Sequence, residues 1–379
     1  MNDTGLSVGE HCLEADDTEN GGRPRKQETC QELFFFSGFR GATAAFIEGA
    51  PLLLQNSSLR LADLRHCIAA ELGKTALLRA RNVERDTSLQ RVFLKFEAGN
   101  PTGTHKDRIA LAHVIDALER GYSAITVATC GSYGAAIAHA AAIAQIRCIV
   151  YLPGGYRTRR RAEMLQLGAE LVELPGDYES SLIFSRSRAA DEGWYDANPG
   201  PANSVLQQEV YQEIAFEIYE QLGDAPSVVA IPAGNGTTLA GVYQGFVTLL
   251  RNRKTSGMPI CIAGSSAGKN PIISAFQRGI PEYEDLRPGC VRETGVNEPL
   301  AGWHAVDGEA ALQALYENCG YAGCASDRCL ISHAKLLRDS EGLSVLPAST
   351  AGLAVLLDLH RKQPFPDGQY VAVITGKKT

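Results

Sequence analysis

A lysine stands at the junction between a strand-like and a helix-like segment of this sequence. Lys106 follows Gly-Asn-Pro-Thr-Gly-Thr-His (99–105), which comes after the apolar run 92–97 and precedes a helical pattern from Asp107 to about Arg120. The positive end of a helix and partial burial both lower the pKa of a lysine amine. Such an amine forms Schiff bases with carbonyl groups. A surface lysine at a helix start is the alternative interpretation, and this motif alone does not separate the two.

Two further loops carry small residues and hydroxyl groups directly after strand-like runs. The segment 129–134 (Thr-Cys-Gly-Ser-Tyr-Gly) follows the run 124–128, and the glycine-rich segment 232–241 follows the run 227–231. Backbone N–H groups and hydroxyls at a helix start bind anionic groups. Neither loop has the Gly-Lys-Ser/Thr of a P-loop or the GxGxxG spacing of dinucleotide sites. A tight packing turn is the alternative for each loop alone.

The elements that must position these loops alternate between strand and helix. Helical patterns cover 135–146, 159–167 and 205–222, and strand-like runs cover 92–97, 124–128, 148–152, 227–231, 260–263 and 370–374. This alternation predicts an α/β fold with a doubly wound parallel sheet. In such sheets, ligands bind in the loops at the carboxyl ends of the strands. We therefore expect the three candidate loops to lie at one sheet edge.

Charge and composition argue against several classes of function. The 36 basic and 43 acidic residues give a formal net charge of −7, which does not indicate a nucleic-acid partner or an anionic membrane surface. No apolar run approaches the roughly 20 residues of a membrane helix, and the first residues show no charged-then-apolar signal pattern. We therefore expect a cytoplasmic protein. The ten cysteines include no CxxC pair, which predicts reduced thiols and no metal site.

The motifs together resemble those of fold-type-II pyridoxal-phosphate enzymes, within the threonine synthase-like and tryptophan synthase β-like superfamily. The threonine synthase-like branch carries Asn-Pro-Thr-Gly-Ser-Phe-Lys-Asp-Arg where this sequence has residues 100–108, and the likeness continues at 73–77, 213–218, 347–349 and 375–376. The resemblance implies two open, doubly wound parallel-sheet domains with the active site in the cleft between them. We expect a disordered tail over 1–30, a large cofactor-binding domain over 31–107 plus 200–379, and a smaller mobile domain over 108–199.

The resemblance also assigns roles to individual residues. Lys106 would hold pyridoxal 5′-phosphate as a Schiff base and later act as the base on the α-proton, while Thr375 would meet the pyridine nitrogen. The cofactor phosphate would bind to Gly234, Asn235, Gly236, Thr237 and Thr238. The substrate would bind to Thr129, Cys130, Gly131, Ser132 and Tyr133, and Ser132 would also touch the cofactor.

Arg157 lies in an arginine-rich loop after the run 148–152, at Gly154-Gly155-Tyr156-Arg157. An arginine there can bind a phosphate or carboxylate of the substrate with two parallel hydrogen bonds. A solvated helix face is the alternative interpretation of this basic run. If Arg157 is a ligand, the substrate carries a phosphorylated or acidic side chain.

For the reaction, the resemblance implies pyridoxal-phosphate-dependent β-elimination or β-replacement on a small amino-acid substrate by a homodimeric enzyme. A serine/threonine dehydratase-type ammonia-lyase is the first alternative. The second is a degenerate homologue that binds an amino acid without turnover, because Ser132 stands where the family usually has asparagine. Residue identity does not separate these options.

Overall fold

The structure, a computed structural model, describes residues 61–62, 64–65, 71–154 and 158–378. The predicted tail over 1–30 and Arg157 lie outside the described residues. Within the described part, α-helices and β-strands alternate along most of the chain.

The larger of two sheets has six strands in the order β1-β2-β10-β7-β8-β9. These strands are β1 (Leu77–Arg79), β2 (Val92–Phe96), β7 (Val228–Pro232), β8 (Ile260–Ser266), β9 (Tyr321–Ala325) and β10 (Tyr370–Ile374). All pairs are parallel except β1 with β2, in which Leu77 lies opposite Lys95. The antiparallel strand β1 was not predicted, because its three residues are too few to show a periodic pattern.

The smaller sheet has four parallel strands in the order β5-β4-β3-β6. These strands are β3 (Ala124–Ala128), β4 (Arg147–Pro153), β5 (Glu170–Leu174) and β6 (Tyr195–Asp196). The predicted α/β fold with parallel sheets is thus confirmed.

Eleven α-helices connect the strands in the described residues. They are α1 (Arg81–Thr87), α2 (Lys106–Glu119), α3 (Ser132–Ala144), α4 (Arg161–Gln166), α5 (Tyr178–Glu192), α6 (Pro201–Leu222), α7 (Thr237–Arg251), α8 (Pro271–Gln277), α9 (Gly308–Glu317), α10 (Asp327–Glu341) and α11 (Ala351–Lys362). None of the helices in the described segments is long and apolar enough to cross a membrane.

Both faces of the larger sheet are covered by apolar side chains. Along β7, Val229 and Ile231 belong to one hydrophobic cluster, while Val228 and Ala230 belong to another. Successive side chains of a strand point to opposite faces, so these two clusters lie on the two sides of the sheet. Strands buried on both faces explain the continuous apolar runs that identified them in the sequence. The polar loops at the strand ends are therefore held by a rigid, dry sheet.

Candidate active site

One cavity of about 170 Å³ is lined by all the predicted site residues except Arg157. Strands β3, β7 and β10 end at this cavity, and the loops that follow them supply its walls. From these loops come Thr129, Cys130, Gly131, Ser132, Tyr133, Gly234, Asn235, Gly236, Thr237, Thr238 and Thr375, and Lys106 comes from the start of α2. The placement agrees with the rule that α/β sheets bind ligands at the carboxyl ends of their strands.

Lys106 is the first residue of α2, and a tight turn fixes its position. The carboxylate of Asp107 accepts hydrogen bonds from the Thr102 hydroxyl at 2.6 Å and the Thr102 backbone N–H at 2.9 Å. Gly103 adopts φ +81°, a left-handed conformation that glycine takes without strain. Burial lowers the pKa of the Lys106 amine, and the nearby Glu298 carboxyl opposes that shift. The amine is thus easier to deprotonate than a surface lysine.

His105 connects the start of α2 to the end of β10. Its backbone N–H donates to the Thr375 carbonyl at 2.9 Å, and its Nδ1 lies 3.0 Å from the same oxygen. The ring stacks on Tyr211 with centroids 5.4 Å apart. Burial lowers the pKa of His105 to about 4, so the ring is neutral near pH 7. A neutral ring facing a carbonyl oxygen with Nδ1 donates from that nitrogen, which aligns Lys106 with Thr375.

The loop from Gly234 to Thr238 forms a cradle at the start of α7. Gly236 has φ +90°, and a Cβ there would lie 2.7 Å from the Asp307 carbonyl oxygen. A Cβ on Gly234 would lie 2.5 Å from the Pro299 carbonyl oxygen. Within the described segments, no protein acceptor is seen for the backbone N–H groups of Gly236, Thr237 and Thr238. Open N–H groups at a helix N-terminus suit a phosphate group.

Two side chains of the cradle are already engaged. The Thr237 hydroxyl donates to the carboxylate of Asp307, which also accepts from Gln208 Nε2 at 2.9 Å. The Thr238 hydroxyl is hydrogen-bonded to Tyr211. The predicted phosphate ligands in this loop are therefore backbone N–H groups more than hydroxyls. Asp307 was not predicted, because it lies about 70 residues further along the chain, before α9.

In the loop after β3, some side chains form hydrogen bonds within the protein and others face the cavity. The Thr129 hydroxyl accepts from the N–H of Gly131 at 3.1 Å and of Gly134 at 3.3 Å, so it shapes the turn. The Tyr133 hydroxyl donates to the Ala197 carbonyl at 2.8 Å, which directs it away from a substrate. Burial and the neighbouring Glu298 raise the pKa of the Cys130 thiol well above its usual range, so the thiol stays protonated.

Thr375 reaches the cavity beside a second hydroxyl. Its Oγ1 donates to Ser349 Oγ at 3.3 Å, and Ser349 Oγ donates to the Gly376 carbonyl at 3.0 Å. Ser349 lies in the 3₁₀ turn Pro347–Thr350 and also lines the cavity. The segment 347–349 was noted for its resemblance alone, and the structure places it next to Thr375.

The cavity is also lined by three acidic side chains that the sequence did not identify. They are Glu179 at the start of α5, and Glu293 and Glu298 in the segment between α8 and α9. Burial raises the pKa of Glu179 and of Glu298. The segment from 278 to 307 has no helix or strand period, so nothing in the sequence indicated that its acidic residues face Lys106.

A buried ionic network lies next to the start of α2. The Arg108 guanidinium binds Glu97 through Nε at 2.7 Å and Glu217 through one terminal nitrogen at 2.8 Å. The Lys95 ammonium lies 2.5 Å from the other oxygen of Glu217. These contacts join β2, α2 and α6. Because Arg108 is two residues from Lys106, the network fixes the orientation of the lysine.

The chain is similar in sequence to known proteins over most of its length. A sequence model of the family described as pyridoxal-phosphate dependent enzymes matches residues 68–376. The threonine synthase of Methanocaldococcus jannaschii is 29% identical over 307 residues, which cover 80% of this chain and 74% of the relative. The threonine synthase of Mycobacterium tuberculosis strain H37Rv is 30% identical over 288 residues, 75% of each chain.

Solved structures share the fold. A processed threonine deaminase isoform 2 from Solanum lycopersicum superposes with a TM-score of 0.69 at 15% identity, covering 85% of this chain and 90% of its own. A pyridoxal 5′-phosphate-dependent aspartate racemase superposes with a TM-score of 0.70 at 17% identity, covering 85% and 95%.

The cavity suits the cofactor that these comparisons imply. A glycine-lined cradle with open N–H groups lines the same cavity as a buried lysine amine. The two glycines let the backbone at Pro299 and Asp307 pack closely against this cradle. Anion-binding N–H groups and a Schiff-base-forming amine are the two groups that a phosphorylated aldehyde requires. The fold-type-II resemblance and the pyridoxal-phosphate dependence are thus confirmed, and the chain belongs to the family of pyridoxal-phosphate dependent enzymes.

Proposed function

We propose that this enzyme catalyses β-elimination or β-replacement on an amino acid, with Lys106 as its central residue. The supporting observation is that Lys106, the cradle 234–238 and Thr375 line one cavity. The threonine synthase relatives support the same class of reaction.

When bound, pyridoxal phosphate supplies a conjugated ring that accepts the electron pair left on the α-carbon of an amino acid. The N–H groups of Gly236, Thr237 and Thr238 would hold its phosphate at the start of α7. Thr375 would offer its hydroxyl to the pyridine nitrogen, as a partner that carries no formal charge. Burial lowers the pKa of Lys106 and so makes its amine easier to deprotonate, and the neutral amine can take a proton from the α-carbon of the substrate.

The sites of substrate contact follow from the side chains that remain available. Ser132 begins α3, where its N–H group is open to a carboxylate. Cys130 and Gly131 lie beside it on the cavity wall. Thr129 and Tyr133 would shape this wall, since their hydroxyls are engaged within the protein. Arg157 stays a candidate ligand for an anionic group.

The proposal includes the organisation of the molecule. Residues 108–199 would form the smaller, mobile domain, in agreement with the position of strands β3–β6 between residues 124 and 196. A cytoplasmic homodimer is the form that we expect for the enzyme. Sedimentation of the purified protein at several concentrations tests the dimer.

The first experiment compares wild type with Lys106→Ala, and Lys335→Ala on the exposed side of α10 serves as the control. Each protein is purified with pyridoxal phosphate and titrated with a panel of amino acids while its visible absorbance is recorded. We expect an absorbance band in wild type and in Lys335→Ala that shifts with a substrate and is absent or altered in Lys106→Ala.

Product analysis then identifies the reaction. Release of ammonia and a keto acid indicates elimination, and a new amino acid formed with an added nucleophile indicates replacement. A wild-type protein without the band in excess cofactor contradicts the proposal. So does a Lys106→Ala variant that keeps full turnover and has the circular dichroism spectrum of wild type.

A further inference from the structure

The charges around the substrate cavity are predominantly negative. Glu179 and Glu298 line it, and Lys106 is the only lysine or arginine among its described lining residues. The cofactor phosphate and the α-carboxylate of an amino acid add further negative charge. Like charges at short distance in a partly buried site repel each other, whereas a cation there is attracted. The cavity therefore favours a substrate that brings a positive charge.

Glu298 is held in a fixed position on this wall. Its predecessor Asn297 donates from Nδ2 to Asp327 at 2.7 Å. Two residues further on, the Leu300 carbonyl accepts from Ser265 Oγ at 3.2 Å and from Asn270 Nδ2 at 3.1 Å. These contacts anchor the 3₁₀ turn Glu298–Leu300 on both sides. A carboxylate on so constrained a backbone loses little conformational entropy when it binds a ligand.

The partners of Glu298 place its carboxyl beside the reacting groups. Glu298 lines the same cavity as Cys130 and Lys106, and its carboxyl interacts electrostatically with both of these groups. A carboxylate has about four lone-pair positions, so these partners leave acceptor capacity for a third. A side chain attached to an α-carbon near Lys106 would thus have Glu298 within reach.

We propose that Glu298 makes this enzyme selective for an amino acid with an ammonium-bearing side chain. The inference rests on the proposed function, because it names the substrate class of the same cavity. This substrate class is the opposite of the phosphorylated or acidic side chain that Arg157 would favour, and the experiment below distinguishes the two. Among the described lining residues, an anionic side chain would meet the carboxyl groups of Glu298 and Glu179.

Three amino acids of the same chain length test the charge preference. They are L-2,4-diaminobutyrate, L-homoserine and L-aspartate, whose side chains are cationic, neutral and anionic. Dissociation constants are measured for the cofactor-loaded enzyme from the shift of its visible absorbance. For wild type we expect diaminobutyrate to bind tightest and aspartate weakest. In Glu298→Gln, the preference for diaminobutyrate over homoserine should fall by about 10-fold or more, the range of a lost hydrogen bond between charged groups.

Two further variants show whether charge or structure is responsible. Glu298→Asp keeps the charge and should retain the order of the three affinities. Glu282→Gln removes an exposed carboxyl outside the cavity and should leave all three affinities unchanged. The inference is overturned if wild type prefers aspartate or homoserine, or if Glu298→Gln weakens all three ligands equally, as a purely structural residue would. If no amino acid shifts the absorbance of any variant, the proposed function itself is refuted, and the inference with it.

Discussion

The buried ionic network around Arg108 gives a quantitative prediction about the stability of the site. Replacement of Arg108 by methionine keeps the length of the side chain and removes its charge. It leaves Glu97, which is fully buried, without its guanidinium partner. Glu217 keeps its ion pair with Lys95 and its hydrogen bonds from the backbone N–H groups of Lys74 and Thr75. Glu97 would retain hydrogen bonds from Thr75 at 2.7 Å and from Asn100 at 3.0 Å.

The size of the effect follows from the pKa of Glu97. Its surroundings, with Arg108 as the main favourable partner against the opposing effect of burial, lower that pKa from 4.5 to about 2. A shift of this size corresponds to about 3 kcal/mol of interaction with the charged form. Removing one partner of a buried ion pair costs about 3–5 kcal/mol in other proteins. We therefore expect Arg108→Met to lower the free energy of unfolding by about 3–5 kcal/mol.

Urea unfolding followed by circular dichroism measures this change. The matched control is Arg147→Met, which breaks an exposed pair with Glu170 and should cost less than about 1 kcal/mol. The double variant Arg108→Met/Glu97→Gln should recover part of the loss, because it removes the unpaired charge. The reasoning would be refuted if Arg108→Met lost no more stability than Arg147→Met. It would also be refuted if the double variant lost more stability than its two single variants lose together.

The stability difference between wild type and Arg108→Met should depend on pH, in a direction that follows from the pKa of Glu97. In wild type, the lowered pKa of Glu97 stabilises the fold above about pH 4.5, and this contribution is lost as the pH falls from 4.5 towards 2. In Arg108→Met, the pKa of Glu97 rises. A falling pH then protonates this carboxylate and removes its unpaired buried charge. The stability difference between the two proteins should therefore shrink as the pH is lowered from 8 to about 4.

Three other predictions concern the cavity itself. Gly236→Ala puts a Cβ 2.7 Å from the Asp307 carbonyl oxygen, at a backbone angle φ of +90°. The affinity for pyridoxal phosphate, measured by absorbance titration, should therefore fall at least about 10-fold. Unchanged affinity would contradict a role for this turn in the cradle. Because burial lowers the pKa of His105 to about 4, His105→Phe should not change the shape of the kcat/KM profile between pH 5 and 8. Loss of an inflection in that range would show that the ring titrates there. Tyr133→Phe removes the hydrogen bond to the Ala197 carbonyl and should cost about 1 kcal/mol of stability with little change in KM. A large rise in KM would show that the hydroxyl contacts the substrate.

The parts of the fold that the sequence predicted are those with strong local patterns. Strands such as β7 and β10 are buried on both faces, so their residues form continuous apolar runs. Strand β5 was missed because it is an edge strand whose residues Glu170–Leu174 are at least partly exposed, with two glutamates among them. An edge strand is defined by its pairing with β4, and that pairing leaves no period in its own sequence.

The same distinction applies to the site. Lys106 and the cradle 234–238 stood out because glycine and hydroxyl residues directly follow buried strands. Glu298 did not, because its position depends on contacts of Asn297 and Leu300 with distant residues. For Tyr133, the sequence indicated the loop correctly but not the contact of its hydroxyl with Ala197, 64 residues further on. Side-chain direction in irregular segments is decided by tertiary packing, which the local sequence does not encode.

The position of Glu298 links substrate charge to the basicity of Lys106. Burial lowers the pKa of the lysine amine, while the charge of Glu298 raises it again. An ammonium group bound to Glu298 would bring a positive charge near Lys106 that offsets the negative charge of the carboxylate. The pKa of Lys106 should then fall further, so a larger fraction of the amine is available to accept the α-proton. A cationic substrate would thus increase the fraction of Lys106 that can act as the base.

This coupling predicts a difference between substrates of the same enzyme. The acidic limb of the kcat profile reports the base in the enzyme–substrate complex. For a cationic amino acid, that limb should lie at lower pH than for a neutral one of equal length. In Glu298→Gln the two limbs should lie closer together, because the variant lacks the carboxylate that holds the ammonium group near Lys106. Limbs that coincide in wild type would mean that Glu298 selects the substrate without influencing Lys106.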